Sequence, residues 1–221
     1  MPENWTSVME QRIVPDIRIL DCLHTKFSQA MGNQDFTERL DFGKFMMKQI
    51  RSEAIDPGRI IFTDEAHFYL DSYVNKQNYR IWGTEKPSIR TKQVHAQRVT
   101  VWGEICEKGL LGPIFIEAGK TVDREVYAGI LQTAIEEARS NGMKKRFYWQ
   151  QDAATPHRVS ENLQVLHETS GRRVIAKRFP SKFNAGCSWL AHSPDISAMD
   201  FFLWGYTKDK CIRTMQESWK Y

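Results

Sequence analysis

Three aspartates stand where this chain could put acids to chemical use: Asp64, Asp152 and Asp200. Asp64 follows the apolar run Ile60-Ile61-Phe62, which the turn signal Asp56-Pro57-Gly58 precedes. A short continuous apolar run reads as a strand buried on both faces, and Asp64 would end it. Asp152 follows Phe147-Tyr148-Trp149-Gln150-Gln151, a second strand-like run able to lie beside the first. Ser197 and Asp200 have capping-box spacing, which predicts Asp200 in the first turn of a helix running to about Arg213. Taken singly, each is a turn or cap acid. Brought together at one sheet edge they repel, by roughly 4 kcal/mol for a pair about 4 Å apart at an effective dielectric of about 20. Three such groups therefore want a divalent cation, and oxygen-only donors select Mg²⁺ or Mn²⁺. Two such ions can activate a water or hydroxyl and stabilise the leaving oxygen of a phosphodiester.

The elements that must position these acids follow from the pattern. Asp35-Phe36-Thr37-Glu38 resembles a capping box, and Phe36, Leu40, Met46 or Met47, Ile50 and Ala54 continue at helical spacing. Phe68-Tyr69-Leu70 and Tyr79-Arg80-Ile81-Trp82 read as strands, as do Arg98 to Ile105 and Gly112 to Ile116. Thr121-Val122-Asp123 opens a helix through Val126, Ile130, Leu131, Ala134 and Ala138 that stops at Asn141-Gly142. Pro156 opens another through Val159, Leu163 and Leu166, and Val174-Ile175-Ala176 is a short strand. The order favours an α/β fold, a mixed sheet flanked by helices. His157 is placed to support the Asp152 turn, and Glu65, beside Asp64, is either a supporting group of that site or an exposed acid. His157, His167, Cys187 and His192 lack zinc-ligand spacing.

With 221 residues, 41% hydrophobic and 12% aromatic, the chain can bury a core. The start, Met1-Pro2-Glu3-Asn4-Trp5, has no apolar segment of a secretory signal, and Gly109 to Ile116 is too short to span a bilayer. Cys22, Cys106, Cys187 and Cys211 lie far apart and read as reduced thiols of an intracellular protein. The net charge of +4 is unevenly spread. Lys86, Arg90, Lys92 and Arg98 occupy one stretch without an acid; Arg172, Arg173, Lys177, Arg178 and Lys182 occupy another, beside Phe179, Phe183 and Trp189. Such segments suit a phosphate backbone.

Phe62-Thr63-Asp64-Glu65-Ala66, then Gln150-Gln151-Asp152-Ala153-Ala154-Thr155-Pro156-His157, then Ser193-Pro194-Asp195 through Asp200-Phe201-Phe202-Leu203-Trp204-Gly205, resemble the three acidic motifs of mariner-type transposases. Asn75-Lys76-Gln77-Asn78-Tyr79-Arg80-Ile81-Trp82 and Val101-Trp102-Gly103 are similar to that family as well. The resemblance runs from about residue 35 to about residue 213. It implies a ribonuclease-H-like fold and a catalytic, metal-binding triad of Asp64, Asp152 and Asp200, with Asp200 rather than Asp195 as the third acid. It further implies two Mg²⁺ or Mn²⁺ ions, DNA nicking at transposon ends, and joining of the freed 3′-hydroxyl to target DNA. The implied partners are transposon-end and target DNA and, for a full-length protein, a second copy. The implied location is the nucleus of a eukaryotic host, otherwise the cytoplasm, with no membrane association.

The chain departs from the family in places. Ala153 stands where Asn or Gly is usual, Ala198 where proline is usual, and the stretch from Asp152 to Asp200 is longer than in the mariner type proper. The family's DNA-reading helix-turn-helix is missing, and the chain stops soon after the third motif. The division expected is a helical linker or appendage over 1–54 and a catalytic domain over 55–221, truncated at its C-terminal end. Three other readings stay open: a remnant that binds DNA without cutting it, a general ribonuclease-H-like nuclease, and a protein-interaction module using the Trp-rich surfaces.

Overall fold

The computed structural model describes residues 33–69, 98–117, 119–143, 147–190 and 193–218. The expected strand at Tyr79–Trp82, the basic loop Lys86–Gln97, Cys22 and His192 lie outside the described residues. So does the stretch 1–32, the first part of the expected appendage. Among the described residues no helix is long and apolar enough to cross a membrane.

Helix α1 (Asn33–Arg51) leads through the tight turn Pro57–Arg59, where Asp56 Oδ1 accepts the Gly58 N–H at 3.0 Å. Strand β1 (Ile60–Tyr69) follows, then β2 (Arg98–Cys106) and β3 (Gly109–Ile116). These three form an antiparallel meander. Helix α2 (Arg124–Ser140) crosses to β4 (Tyr148–Gln150), and α3 (Ser160–Ser170) crosses to β5 (Val174–Ile175). Both crossovers are parallel, so the sheet is mixed, in the order β3-β2-β1-β4-β5. A short helix α4 (Phe179–Phe183) and a final helix α5 (Trp204–Ser218) complete the described chain.

The expected mixed sheet flanked by helices is present, with two local differences. First, β1 does not end at Asp64: it runs on through Tyr69, absorbing the strand expected at Phe68-Tyr69. β4 pairs only with Ile60–Phe62, whereas β2 pairs with Phe62–Tyr69, and this second ladder carries the backbone through the polar residues Thr63-Asp64-Glu65. Second, α1 packs only part of the expected stripe, with Met46 inward as expected and Phe42 in addition. Phe36 and Leu40 are exposed, while Phe42 and Met46 pack against Ile55, Ile60, Ile175 and Trp189, with the Phe42 and Trp189 rings edge-to-face at 5.9 Å.

The sheet is covered on both faces. On one, Tyr127, Leu131 and Ala134 of α2 and Leu163 and Leu166 of α3 pack on Ile61, Trp102 and Trp149. Asp123 caps α2 by accepting the Glu125 and Val126 N–H groups, as its sequence predicts. Burying a side chain such as Leu131 stabilises the fold by roughly 2 kcal/mol. On the other face, Met199, Leu203 and Trp204 pack on Ala66 and Ile105, with Phe62, Phe68 and Leu110 at the margin. Successive residues of β1 therefore serve different layers. His167 has a packing role: its ring stacks on Phe183 with centroids 4.3 Å apart. Among the described residues Cys106, Cys187 and Cys211 form no disulfide.

Candidate active site

Asp64 lies in mid-strand opposite Gly103 of β2. A side chain at 103 would stand in the way of Trp204, since a Cβ there would lie 3.1 Å from the indole Cη2. Gly103 thus admits the indole, whose Nε1–H donates to Asp64 Oδ2 at 2.8 Å. Burial pushes the Asp64 carboxyl well above its usual range, and the charges of Asp200, Glu65 and Asp152 push it the same way; the Trp204 hydrogen bond opposes them. Asp152 and Asp200 thus both act on Asp64.

Asp152 follows the last residues of β4, in the register that continues Phe62 beside Gln150. Thr63 Oγ1 secures that junction by donating to the Gln150 carbonyl at 2.8 Å. Asp152 Oδ1 accepts the Ala154 N–H at 2.8 Å and lies 2.5 Å from His157 Nδ1. His157 is fully buried, its ring 4.2 Å from that of Tyr127 and 6.0 Å from that of Trp102. Its Nε2 faces Glu65 Oε2 at 3.5 Å. Burial disfavours a charged imidazole, yet the two carboxylates outweigh it and hold His157 up at about 10. The same pairing holds the Asp152 carboxyl below its usual range although burial alone would raise it. Tyr127 Oη donates to Gln151 Oε1 at 2.5 Å and Gln151 Nε2 donates to the His157 carbonyl at 2.7 Å, which fixes the turn from inside. His157 supports the Asp152 turn as expected. Glu65 is not merely exposed: its Oε2 faces His157, so it supports the site through the residue that holds Asp152.

Asp200 is partly buried in a single π-helical turn, Met199–Leu203, that leads into α5. The expected capping box is not what starts this turn: its N-cap is Ala198, and Ser197 contributes its carbonyl to the Phe201 N–H at 2.9 Å. Asp195 faces away from the cluster. It pairs with Arg39 Nη2 of α1 at 2.5 Å, while Arg39 Nη1 donates to Ser193 Oγ at 2.8 Å. Lys208, one turn past Trp204, is a site residue that the sequence reading missed. Its ammonium is buried, 5.5 Å above the Phe68 ring. Burial lowers its pKa to about 8 against the pull of Asp64 and Asp200. The spacing Asp200, Trp204, Lys208 places all three on one helical face and was a signal that could have found it.

Asp64, Asp152 and Asp200 are thus near neighbours, but they form an open cluster. Among the described residues no group of three or more acid, imidazole or thiol side chains is arranged so that it could hold a metal ion. The donor chemistry still fits a hard divalent cation. The acids are oxygen donors, Asp200 and Asp152 add to the upward push that burial gives the Asp64 carboxyl, and the described contacts engage Asp64 through Oδ2 and Asp152 through Oδ1.

No protein-family model and no curated protein sequence matches the chain. Solved structures do resemble it. The Mos1 transposase paired-end complex with the left transposon end superposes with a TM-score of 0.64 at 12% identity, over 97% of this chain and 61% of that one. The Mos1 mariner paired-end complex with Mn gives 0.62 at 14% identity, over 92% and 60%. The catalytic domain of Mos1 mariner transposase gives 0.57 at 13% identity, over 88% and 84%. The chain therefore spans less than two thirds of the length of the transposase chains in those paired-end complexes and most of the length of the isolated catalytic domain. Its fold is the ribonuclease-H-like fold of the mariner transposase catalytic domain.

Proposed function

We propose that this chain is the catalytic domain of a mariner-type transposase, which cleaves DNA strands at transposon ends and joins the freed 3′-hydroxyl to target DNA. The observation that supports the reading is that Asp152 and Asp200, from two other elements, both bear on the Asp64 carboxyl, in a fold similar to that of the Mos1 catalytic domain. Those neighbours include complexes with a transposon end, a strand-transfer complex, and forms with Mn or Mg. Residues 55–221 would make up the catalytic domain and residues up to 54 a helical linker; a second copy and a nuclear setting belong to the same proposal.

Asp64, Asp152 and Asp200 would hold two Mg²⁺ or Mn²⁺ ions. When bound, such ions supply Lewis acidity to the phosphodiester and lower the pKa of the attacking water or hydroxyl. The remaining work falls to the chain's own groups. Trp204 fixes the rotamer of Asp64 through Oδ2. The charged His157, braced by Glu65, keeps Asp152 ionised and oriented. Lys208 brings a desolvated positive charge to Asp64 and Asp200, where a phosphodiester would bring negative charge.

The test is Mn²⁺-dependent nicking of duplex DNA, with folding checked by circular dichroism. Asp64→Asn, Asp152→Asn and Asp200→Asn should each abolish nicking and weaken Mn²⁺ binding in calorimetry. Asp195→Asn, which touches only the Arg39 contact, should keep most of the activity. Nicking that survives Asp200→Asn but not Asp195→Asn would refute the assignment.

A further inference from the structure

A depression of about 490 Å³ opens beside the turn that carries Asp152. Arg158, Arg178 and Lys182 line it, together with the hydroxyl-bearing residues Thr155, Ser160 and Ser181, and no carboxylate does. Arg158 comes from the turn before α3, Arg178 and Lys182 from the two ends of α4, and two of the three are tied to a neighbouring side chain. Arg158 Nη2 donates to Thr155 Oγ1 at 3.2 Å, and its Nε is buried with no hydrogen-bond partner. Lys182 Nζ donates to the Ser160 carbonyl at 2.5 Å and also to Ser160 Oγ, which ties it across the start of α3. Arg178 has a left-handed backbone, φ 68°, at the N-cap of α4. Such a conformation is costly for a residue with a Cβ and persists where the surroundings impose it.

The wall formed by α3 adds to this. The helix has 11 residues, and its N-cap is Val159, which has no side chain to accept the first N–H groups. The positive end of the helix therefore opens toward the same three cations, with Glu161 the acid of its first turn. Guanidinium forks, hydroxyls and unfilled amide donors around one concavity match a tetrahedral oxyanion. The location narrows the choice of anion. Thr155 belongs to the turn that begins at Asp152, whose carboxylate accepts the Ala154 N–H.

We propose that this depression binds one non-reacting phosphodiester of a DNA strand and so holds that strand against the Asp152 end of the candidate active site. The proposal rests on the function put forward above and names a contact that the acidic motifs do not contain. A free phosphate has the same recognition chemistry, so the test must tell the two apart.

The experiment uses the full chain and a labelled duplex of arbitrary sequence, with binding followed by fluorescence anisotropy over a range of salt concentrations. Arg158→Gln and Arg178→Gln keep side-chain bulk and remove charge; melting curves establish that both fold. Each should weaken binding roughly tenfold and reduce the slope of log K against log salt by about one, the mark of a lost phosphate contact. Arg172→Gln, exposed and outside the depression though in the same basic segment, should change affinity less than about twofold, as expected of a solvated surface charge. Wild-type binding that Arg158→Gln and Arg178→Gln leave intact, or that Arg172→Gln weakens equally, would overturn the depression as the anchor. A wild-type chain that binds no duplex would instead overturn the proposed function. In a second arm, inorganic phosphate is titrated at constant ionic strength. Millimolar phosphate that raises the melting temperature of the wild type but not of Arg178→Gln, with DNA affinity unaltered by either substitution, would assign the site to free phosphate and refute the strand contact.

Discussion

Replacing Glu104 by Gln should stabilise this protein, and by more as the pH rises. Glu104 is fully buried in β2 opposite Thr63. Trp102 Nε1 donates to its Oε1 at 3.3 Å, and its Oε2 has no hydrogen-bond partner. Burial pushes the carboxyl from 4.5 up to about 8; the Trp102 contact opposes this and the charge of Glu137 adds to it. The folded chain thus holds this proton more tightly than the unfolded chain does. The stability it contributes is complete below about pH 4.5 and is lost as pH rises toward about 8. At pH 7 the unfolded carboxyl is about 2.5 units past its midpoint and the folded one is still mostly protonated. At about 1.36 kcal/mol per unit, that is a penalty of about 3 kcal/mol, rising to about 5 kcal/mol above pH 8. Gln cannot ionise and keeps an acceptor for Trp102, but its amide leaves an unmatched donor where Oε2 now lies, at a cost of about 1 kcal/mol. The net gain at neutral pH is about 2 kcal/mol. Urea unfolding of both proteins between about pH 5 and about pH 9 measures the difference directly. Two stability curves that run parallel across that range would show that Glu104 does not titrate as its burial requires.

Two glycines give further expectations. Gly103→Ala should cost about 1 to 3 kcal/mol in urea unfolding and reduce nicking, because the new methyl displaces Trp204 from Asp64; stability and activity both at wild-type level would refute the role given to that close approach. Gly186→Ala should cost more, upwards of about 3 kcal/mol, since its φ is +72° and a Cβ would lie 2.4 Å from the Val174 carbonyl oxygen; an unchanged melting temperature would contradict the packing of that turn against β5.

How much of this was legible in the sequence depends on the range of the interaction. The mixed sheet followed from apolar runs alternating with helical stripes, and the ends of α2 followed from Asp123 and Asn141-Gly142, all local signals. The acids could be picked out because residue type and neighbouring residues mark them. The length of β1 could not be read, because Thr63-Asp64-Glu65 is a strand-ending pattern unless a partner such as β2 pairs across it. The buried face of α1 was read only in part for a related reason. Phe36 and Leu40 have the same period as Met46, yet Met46, together with Phe42, meets Trp189 and Ile60 and they do not, because periodicity does not say where another element lies. Lys208 escaped notice because a lysine on a terminal helix is ordinarily solvated; only the packing of α5 on the sheet makes this one a buried charge beside two acids. The π-turn carrying Asp200 has no sequence signature comparable to a cap.

The adjacent acids of β1 have a consequence for how this protein could fail. Asp64 meets an indole on one side of the sheet and Glu65 an imidazolium on the other. Because strand side chains alternate, a slip of β1 by one residue against β2 would bring Glu65 to Trp204 and Ala66 to His157, or, in the other direction, Thr63 to Trp204 and Asp64 to His157. Such a misfolded chain would keep every residue of the motif and much of its secondary structure, yet would offer the wrong side chain to Trp204. Which acid stands at the candidate site is therefore specified by the hydrogen-bond ladder from Phe62 to Tyr69 as much as by the identity of residue 64. An insertion or deletion within β1 should be as damaging as substitution of the aspartate itself.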